Sequence, residues 1–118
     1  MKVESKGDYC VLRVEGRFLT GTDPETLHAC ADEIKALNCR RLLVDCRQTI
    51  QIGSTAIGFL VGLYTSVTRG SDGRFVLVGL QPRVRDVLHL TRLDTILPVV
   101  DDMDSGLAYL RGATVSKA

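Results

Sequence analysis

Tryptophan is absent, and Tyr and Phe number only three each in 118 residues, so the chain lacks the aromatic interleaving of a base-stacking surface. An excess of one charge sign is missing too. Lys and Arg total 15 against 14 Asp and Glu, and the formal net charge is +1. The densest basic spots are Arg40-Arg41 and Arg83 with Arg85, so no direct nucleic-acid partner is expected. No long apolar run occurs: the longest, Ala56 to Tyr64, falls far short of the ~20 residues that span a bilayer, so membrane insertion is not expected. The charged start, Met1-Lys2-Val3-Glu4-Ser5-Lys6, is followed by no apolar core of the secretory type, which points to a cytoplasmic location.

Paired cysteine motifs are lacking as well. Cys10, Cys30, Cys39 and Cys46 form no C-x-x-C pair, and they are expected to act as small buried apolar side chains in a reducing compartment. No phosphate-cradling P-loop, Gly-rich dinucleotide turn, Ser or Cys nucleophile beside a histidine, or metal-ligand spacing is present, so neither enzymatic activity nor a cofactor is expected. His28 and His89 lie far apart without a matching carboxylate pattern and read as ordinary helix residues.

What is present is an ordinary globular composition, 45% hydrophobic and 25% charged, at a length typical of one domain. One domain over 1–118 is expected, with an ordered core from about 7 to 111. Asp8 to Glu15 reads as a first strand, and Gly16-Arg17 as a hairpin turn into a short strand at Phe18-Leu19. After the loop Thr20-Gly21-Thr22-Asp23, Pro24 opens an amphipathic helix with Leu27, Ala31, Ile34 and Leu37 inward. A strand at Leu42 to Val44 follows, then a helix from Thr55 to about Arg69, stopped by Gly70-Ser71-Asp72-Gly73. Arg74 to Val78 is continuously apolar after its first residue, as in a strand buried on both faces. Arg83 to about Thr91 should be helical, with Val84, Val87, Leu88 and Leu90 inward. Pro98 keeps a final edge strand short, and Asp101, Asp102 and Asp104 cap and charge a last helix over Met103 to Leu110. The residues after it form a tail. The expected fold is α/β: a mixed sheet of four to five strands, an N-terminal antiparallel hairpin beside parallel strands, and about four helices.

The organising stretch is Thr49 to Gly58, where a buried strand passes to a helix through a short polar turn. Ser54 reads as the helix N-cap, and a helix N-terminus is also where an anion such as a phosphate is best tolerated. Gly58 and Gly62 are expected to pack the helix closely on the sheet. Phe59 and Leu63 point away from the Ile57, Leu60 and Tyr64 face, so one of them is a candidate apolar contact for a partner. Ile52 is a second candidate docking residue.

Several stretches together resemble the STAS domain of bacterial anti-sigma-factor antagonists over about residues 7 to 111. They are Gly16-Arg17-Phe18-Leu19, Leu42-Leu43-Val44-Asp45, Gly53-Ser54-Thr55-Ala56-Ile57-Gly58, Gly79-Leu80-Gln81-Pro82-Arg83-Val84 and Leu90-Thr91-Arg92-Leu93-Asp94. The resemblance implies a partner that is both an anti-sigma factor and an ATP-dependent serine kinase. The unphosphorylated antagonist binds it, and phosphorylation at the Ser54 position releases it. Thr55 is the second choice of acceptor. Ile52, Gly53, Ser54, Thr55, Phe59, Thr20 and Thr22 form the implied partner surface, and a weak homodimer is left open.

The chain departs from the family pattern at specific places. Gly53 stands where an acidic residue is usual, Thr55 replaces a Ser, Ala56 replaces a Gly, and Leu19 stands where an Asp is common. A STAS module that is never phosphorylated is therefore the alternative, serving as a scaffold in a signalling assembly or as an accessory piece of a transporter. Binding of a nucleotide or other anion at the turn is also left open.

Overall fold

The computed structural model describes residues 2–18, 24–69 and 73–112. In chain order the elements are β1 (Lys2–Ser5), β2 (Cys10–Phe18), α1 (Pro24–Ala36), β3 (Arg41–Ile52), α2 (Ser54–Thr68) and β4 (Arg74–Val78). Then come α3 (Pro82–Leu90), a 3-10 turn (Leu93–Thr95), β5 (Val99–Val100) and α4 (Met103–Leu110). One sheet has the order β1-β2-β3-β4-β5; β1 is antiparallel to β2, and the other neighbours run parallel. This is the mixed α/β architecture expected from the sequence, with five strands and four α-helices.

Alternation along the central strands divides the core in two. Leu12, Val14, Leu42, Val44, Phe75 and Leu77 face the layer formed by α1, α2 and α3. Val11, Leu43, Val76 and Val78 face α4 through Leu110. Both faces of β4 are therefore covered, and Phe75, Val76, Leu77 and Val78 have no solvent contact, which explains the unbroken apolar run. Each such side chain contributes about 1.5–3 kcal/mol by burial. An edge-to-face contact between Tyr64 and Phe75, with ring centroids 5.7 Å apart, holds α2 to the sheet.

Several local expectations are corrected. The antiparallel partner of β2 is Lys2–Ser5, joined through a turn in which the Lys6 N–H donates to the Tyr9 carbonyl at 2.8 Å. Gly16-Arg17 is not a hairpin turn but continues β2. The β1 strand contributes only Val3 to the core and otherwise carries charge and hydroxyl, so its sequence reads as a tail. In α1, Leu27, Cys30 and Ile34 are buried, while Leu37 lies past the helix end and is exposed. In α3, Val84 and Leu88 are buried but Leu90 is 82% exposed.

Glycine roles are reversed as well. A Cβ on Gly58 or Gly62 would meet nothing within 4 Å, because both face outward. The close helix–sheet approach is at Gly106 of α4, where a Cβ would come within 2.7 Å of Val78 and 2.9 Å of Leu43. The expected acidic cap is borne out: the Asp102 carboxylate accepts from the Ser105 N–H at 2.7 Å and starts α4. His89 does have a carboxylate partner, Asp94, at 2.9 Å.

The cysteines are not all free. Cys10 and Cys39 are joined in a disulfide, and Cys30 and Cys46 are buried thiols. Spacing along the chain concealed this, because the sheet brings the start of β2 beside the turn that precedes β3. Residues 19–23, including Leu19, Thr20 and Thr22, lie outside the described residues, as do 70–72 of the expected helix stop and 113–118 of the tail.

Candidate functional site

The β3 strand is longer than its apolar segment suggests, running twelve residues to Ile52, and its register against β2 slips twice. Asp45 lies opposite Arg13 but Gln48 opposite Glu15; Thr49 lies opposite Gly16 but Gln51 opposite Arg17. Each slip places an extra residue in β3, and such bulges bend a strand and re-aim its side chains. Gly16, at φ +67°, lies at the second slip. The buried Thr49 hydroxyl donates to the Val14 carbonyl at 2.8 Å and ties the bent segment to β2.

The extra residue at the second bulge is Ile50, half exposed at 50%. Ile52, by contrast, is buried at 7% in the main core, so it is not an available docking residue. The apolar side chain offered to solvent beside the turn is thus Ile50. The signal that could have found it is the length of Asp45 to Ile52 against its partner strand, which only the pairing reveals.

The connection from β3 to α2 is a single residue. Gly53 is the N-cap, with extended backbone (φ −114°, ψ 176°), and its carbonyl accepts from the Ile57 N–H at 3.0 Å. Ser54 is therefore the first helical residue and not the cap, so its hydroxyl is exposed and not spent on capping. Thr55 is half buried and Ala56 fully buried. Phe59 is half buried and packs on the core, and Leu63, expected to point away, is buried at 4%. Gly53, Ser54 and Thr55 converge at the helix start, and Ser54, Gly58 and Gly62 share the outward face. Phe59 leans to the core side.

No acidic residue lies in the first turn of α2. The free N–H groups and positive dipole end at Ser54 are thus uncompensated within the helix, a setting that accepts added negative charge. Neither β3 nor α2 carries a histidine that could activate the hydroxyl.

Behind the turn, the buried Asp45 carboxylate is held by Arg47, whose Nε and Nη2 donate to its two oxygens at 2.9 Å each. Arg13 Nε stands 3.6 Å away. The Arg47 hydrogen bonds, joined by the charges of Arg47 and Arg13, outweigh burial and keep the Asp45 pKa below the ordinary carboxylate value. Arg47 in turn lies against Gly79, where a Cβ would clash with its side chain, and its carbonyl accepts from Gln81 Nε2 at 3.1 Å. This network fixes the β4–α3 loop against β3. Among the described residues no group of three metal-ligating side chains occurs, and no helix is long and apolar enough to cross a membrane.

The STAS domain family matches residues 1–106 of the chain. No curated protein matches it. Among solved structures, an anti-sigma factor antagonist from Mycobacterium paratuberculosis is 26% identical, with a TM-score of 0.81, covering 93% of this chain and 92% of that one. The Bacillus cell fate determinant SpoIIAA, solved in its phosphorylated form, is 15% identical with a TM-score of 0.68, covering 92% and 96%. A sulfate transporter family protein from Wolinella succinogenes is 22% identical with a TM-score of 0.68, covering 86% and 83%. The last two likenesses concern the fold.

Proposed function

The chain belongs to the STAS domain family, and from that premise we propose that it is an anti-sigma-factor antagonist switched at Ser54. In its unmodified form it binds an anti-sigma factor that carries ATP-dependent serine kinase activity. Transfer of the γ-phosphoryl group of ATP to the Ser54 hydroxyl then releases it. The observation that carries this reading is an exposed serine hydroxyl, free of capping duty, on the first residue of a 15-residue helix with no acid in its first turn. A phosphate there adds about −1.5 to −2 charges at neutral pH, which the helix end tolerates and a partner surface fitted to a neutral hydroxyl does not. Likeness to the mycobacterial antagonist supports the reading. The partner surface comprises Gly53, Ser54, Thr55 and Ile50, with Thr20 and Thr22 as proposed contributors from the preceding loop and Thr55 as the second acceptor.

The test pairs purified chain with the purified anti-sigma-factor kinases of the same cells, with and without ATP. Phosphate should appear on Ser54 by fragment mass spectrometry. Ser54→Ala should bind the kinase and stay bound with ATP, while Ser54→Asp should bind at least tenfold more weakly, a loss of about 1.4 kcal/mol. The thermal midpoint of Ser54→Asp should be level or raised, since an acid at a helix start is favoured by the dipole. Equal affinity of the two variants sinks the switch. The second reading, an unphosphorylated STAS scaffold or transporter accessory, would then lead; Gly53 in place of the usual acid favours it, because a kinase that reads an acidic neighbour finds none in the turn.

A further inference from the structure

The four cysteines fall into two chemically different pairs. Cys30 and Cys46 are buried, at 7% and 3% exposure, and burial pushes both thiols up, Cys46 to about 12. Such thiols stay protonated and are poor nucleophiles and poor targets. Cys10 and Cys39 are bonded to one another across a Cα separation of 5.9 Å, inside the range a disulfide spans without backbone movement. Cys10 is buried at 3%, whereas Cys39, in the turn before β3, retains solvent contact. Of the four, Cys39 is thus the one residue that is not fully buried, and it is the end of the bond nearest to solvent.

We propose that Cys10 and Cys39 form a reversible thiol–disulfide exchange site for low-molecular-weight thiols and their disulfides, entered at Cys39. In the reductive direction a small thiolate attacks Cys39 Sγ, a mixed disulfide forms there, and Cys10 leaves as thiolate and takes a proton. A second small thiolate then attacks the adduct, so that two thiols become one small disulfide and the Cys10–Cys39 bond becomes two thiols. Oxidation runs the same steps backward, with the small disulfide as oxidant. The inertness of Cys30 and Cys46 keeps the exchange from scrambling into other pairings.

The bond joins the first residue of β2 to the turn entering β3 over a separation of 29 residues, with the whole of α1 inside the loop. Reduction frees that loop in the unfolded chain and so lowers stability. The exchange end lies at the opposite ends of β2 and β3 from Ser54, so the inference does not rest on the phosphorylation reading.

The test begins with wild-type protein equilibrated with excess oxidised glutathione, then denatured and alkylated. Two alkyl groups are expected by intact mass, and four after dithiothreitol. The oxidised form should melt about 10 °C higher than the reduced form. Cys10→Ser should take one glutathionyl adduct, at Cys39, while Cys39→Ser should take far less at Cys10. Four alkylatable thiols after oxidation, identical melting of the two forms, or equal adducts in both variants would overturn the proposal. If either variant fails to fold, the thiol count and the melts of the wild-type protein decide alone.

Discussion

Ser54 and Ile50 owe their exposure to single-residue geometry. Because Gly53 takes the cap, Ser54 is released from the backbone hydrogen bond a serine would make one position earlier, and its hydroxyl faces water. Ile50 follows the buried Thr49 and points to solvent; as the extra residue of a bulge it lets Ile52, and not Gln51, turn back into the core. An isoleucine held half exposed beside Ser54 is suited to fill an apolar recess on the proposed partner. Ile50→Gln should therefore weaken binding of the proposed kinase partner about tenfold while moving the thermal midpoint by less than about 2 °C, because little packing is lost. Calorimetric titration alongside a melt separates the two effects. Unchanged affinity in a chain whose wild type binds would remove Ile50 from the surface and leave Ser54 untouched.

At the scale of elements, the helices meet the sheet in two ways. Along α2 the buried positions are Ala56, Leu60, Leu63 and Val67, so contact runs through side chains, and the glycines at 58 and 62 are on the far side. Along α4 the contact runs through Gly106, where the backbone itself approaches Val78 and Leu43. Alanine should therefore act with opposite sign. Gly58→Ala and Gly62→Ala should each stabilise by about 0.5–1 kcal/mol by reducing unfolded-chain freedom, whereas Gly106→Ala should cost about 1–3 kcal/mol through overpacking. Urea titration of the three variants measures this. Destabilisation by Gly58→Ala would show that its outward face is packed after all.

For the molecule as a whole, the strand order β1-β2-β3-β4-β5 places the carboxyl ends of four adjacent parallel strands, β2 to β5, on one side of the sheet. Asp45 of β3 and Arg47, which touches the β4–α3 loop through Gly79 and Gln81, join that end into one unit. Since folding depresses the Asp45 pKa, its contribution is present above the unfolded value of about 3.9 and is lost as pH falls through the folded value. Asp45→Asn should accordingly cost about 2 kcal/mol at pH 7, and the gap from wild type should narrow as the pH is taken down past the unfolded value and through the lowered folded one. Denaturant melts at neutral pH and at the acid end of that range read it directly. A gap of equal size at both would mean that Asp45 contributes shape and not charge.

Period and punctuation along the chain were enough to determine the α/β class, the doubly buried β4, the acidic cap of α4 and the strand-to-helix passage that carries Ser54. These follow from local rules, since alternation, helical spacing and capping chemistry act over a few residues. Pairing between distant segments decided the rest. The charged β1 becomes a strand only because β2 offers it an edge. Bulges in β3 exist only relative to β2, and together they turn Ile50 out to solvent while Ile52 stays in the core. The Cys10–Cys39 bond, the outward glycines of α2 and the close approach at Gly106 likewise depend on which surfaces meet across the sheet. No local pattern encodes such contacts, because they join residues far apart in sequence and are fixed by register and packing in three dimensions.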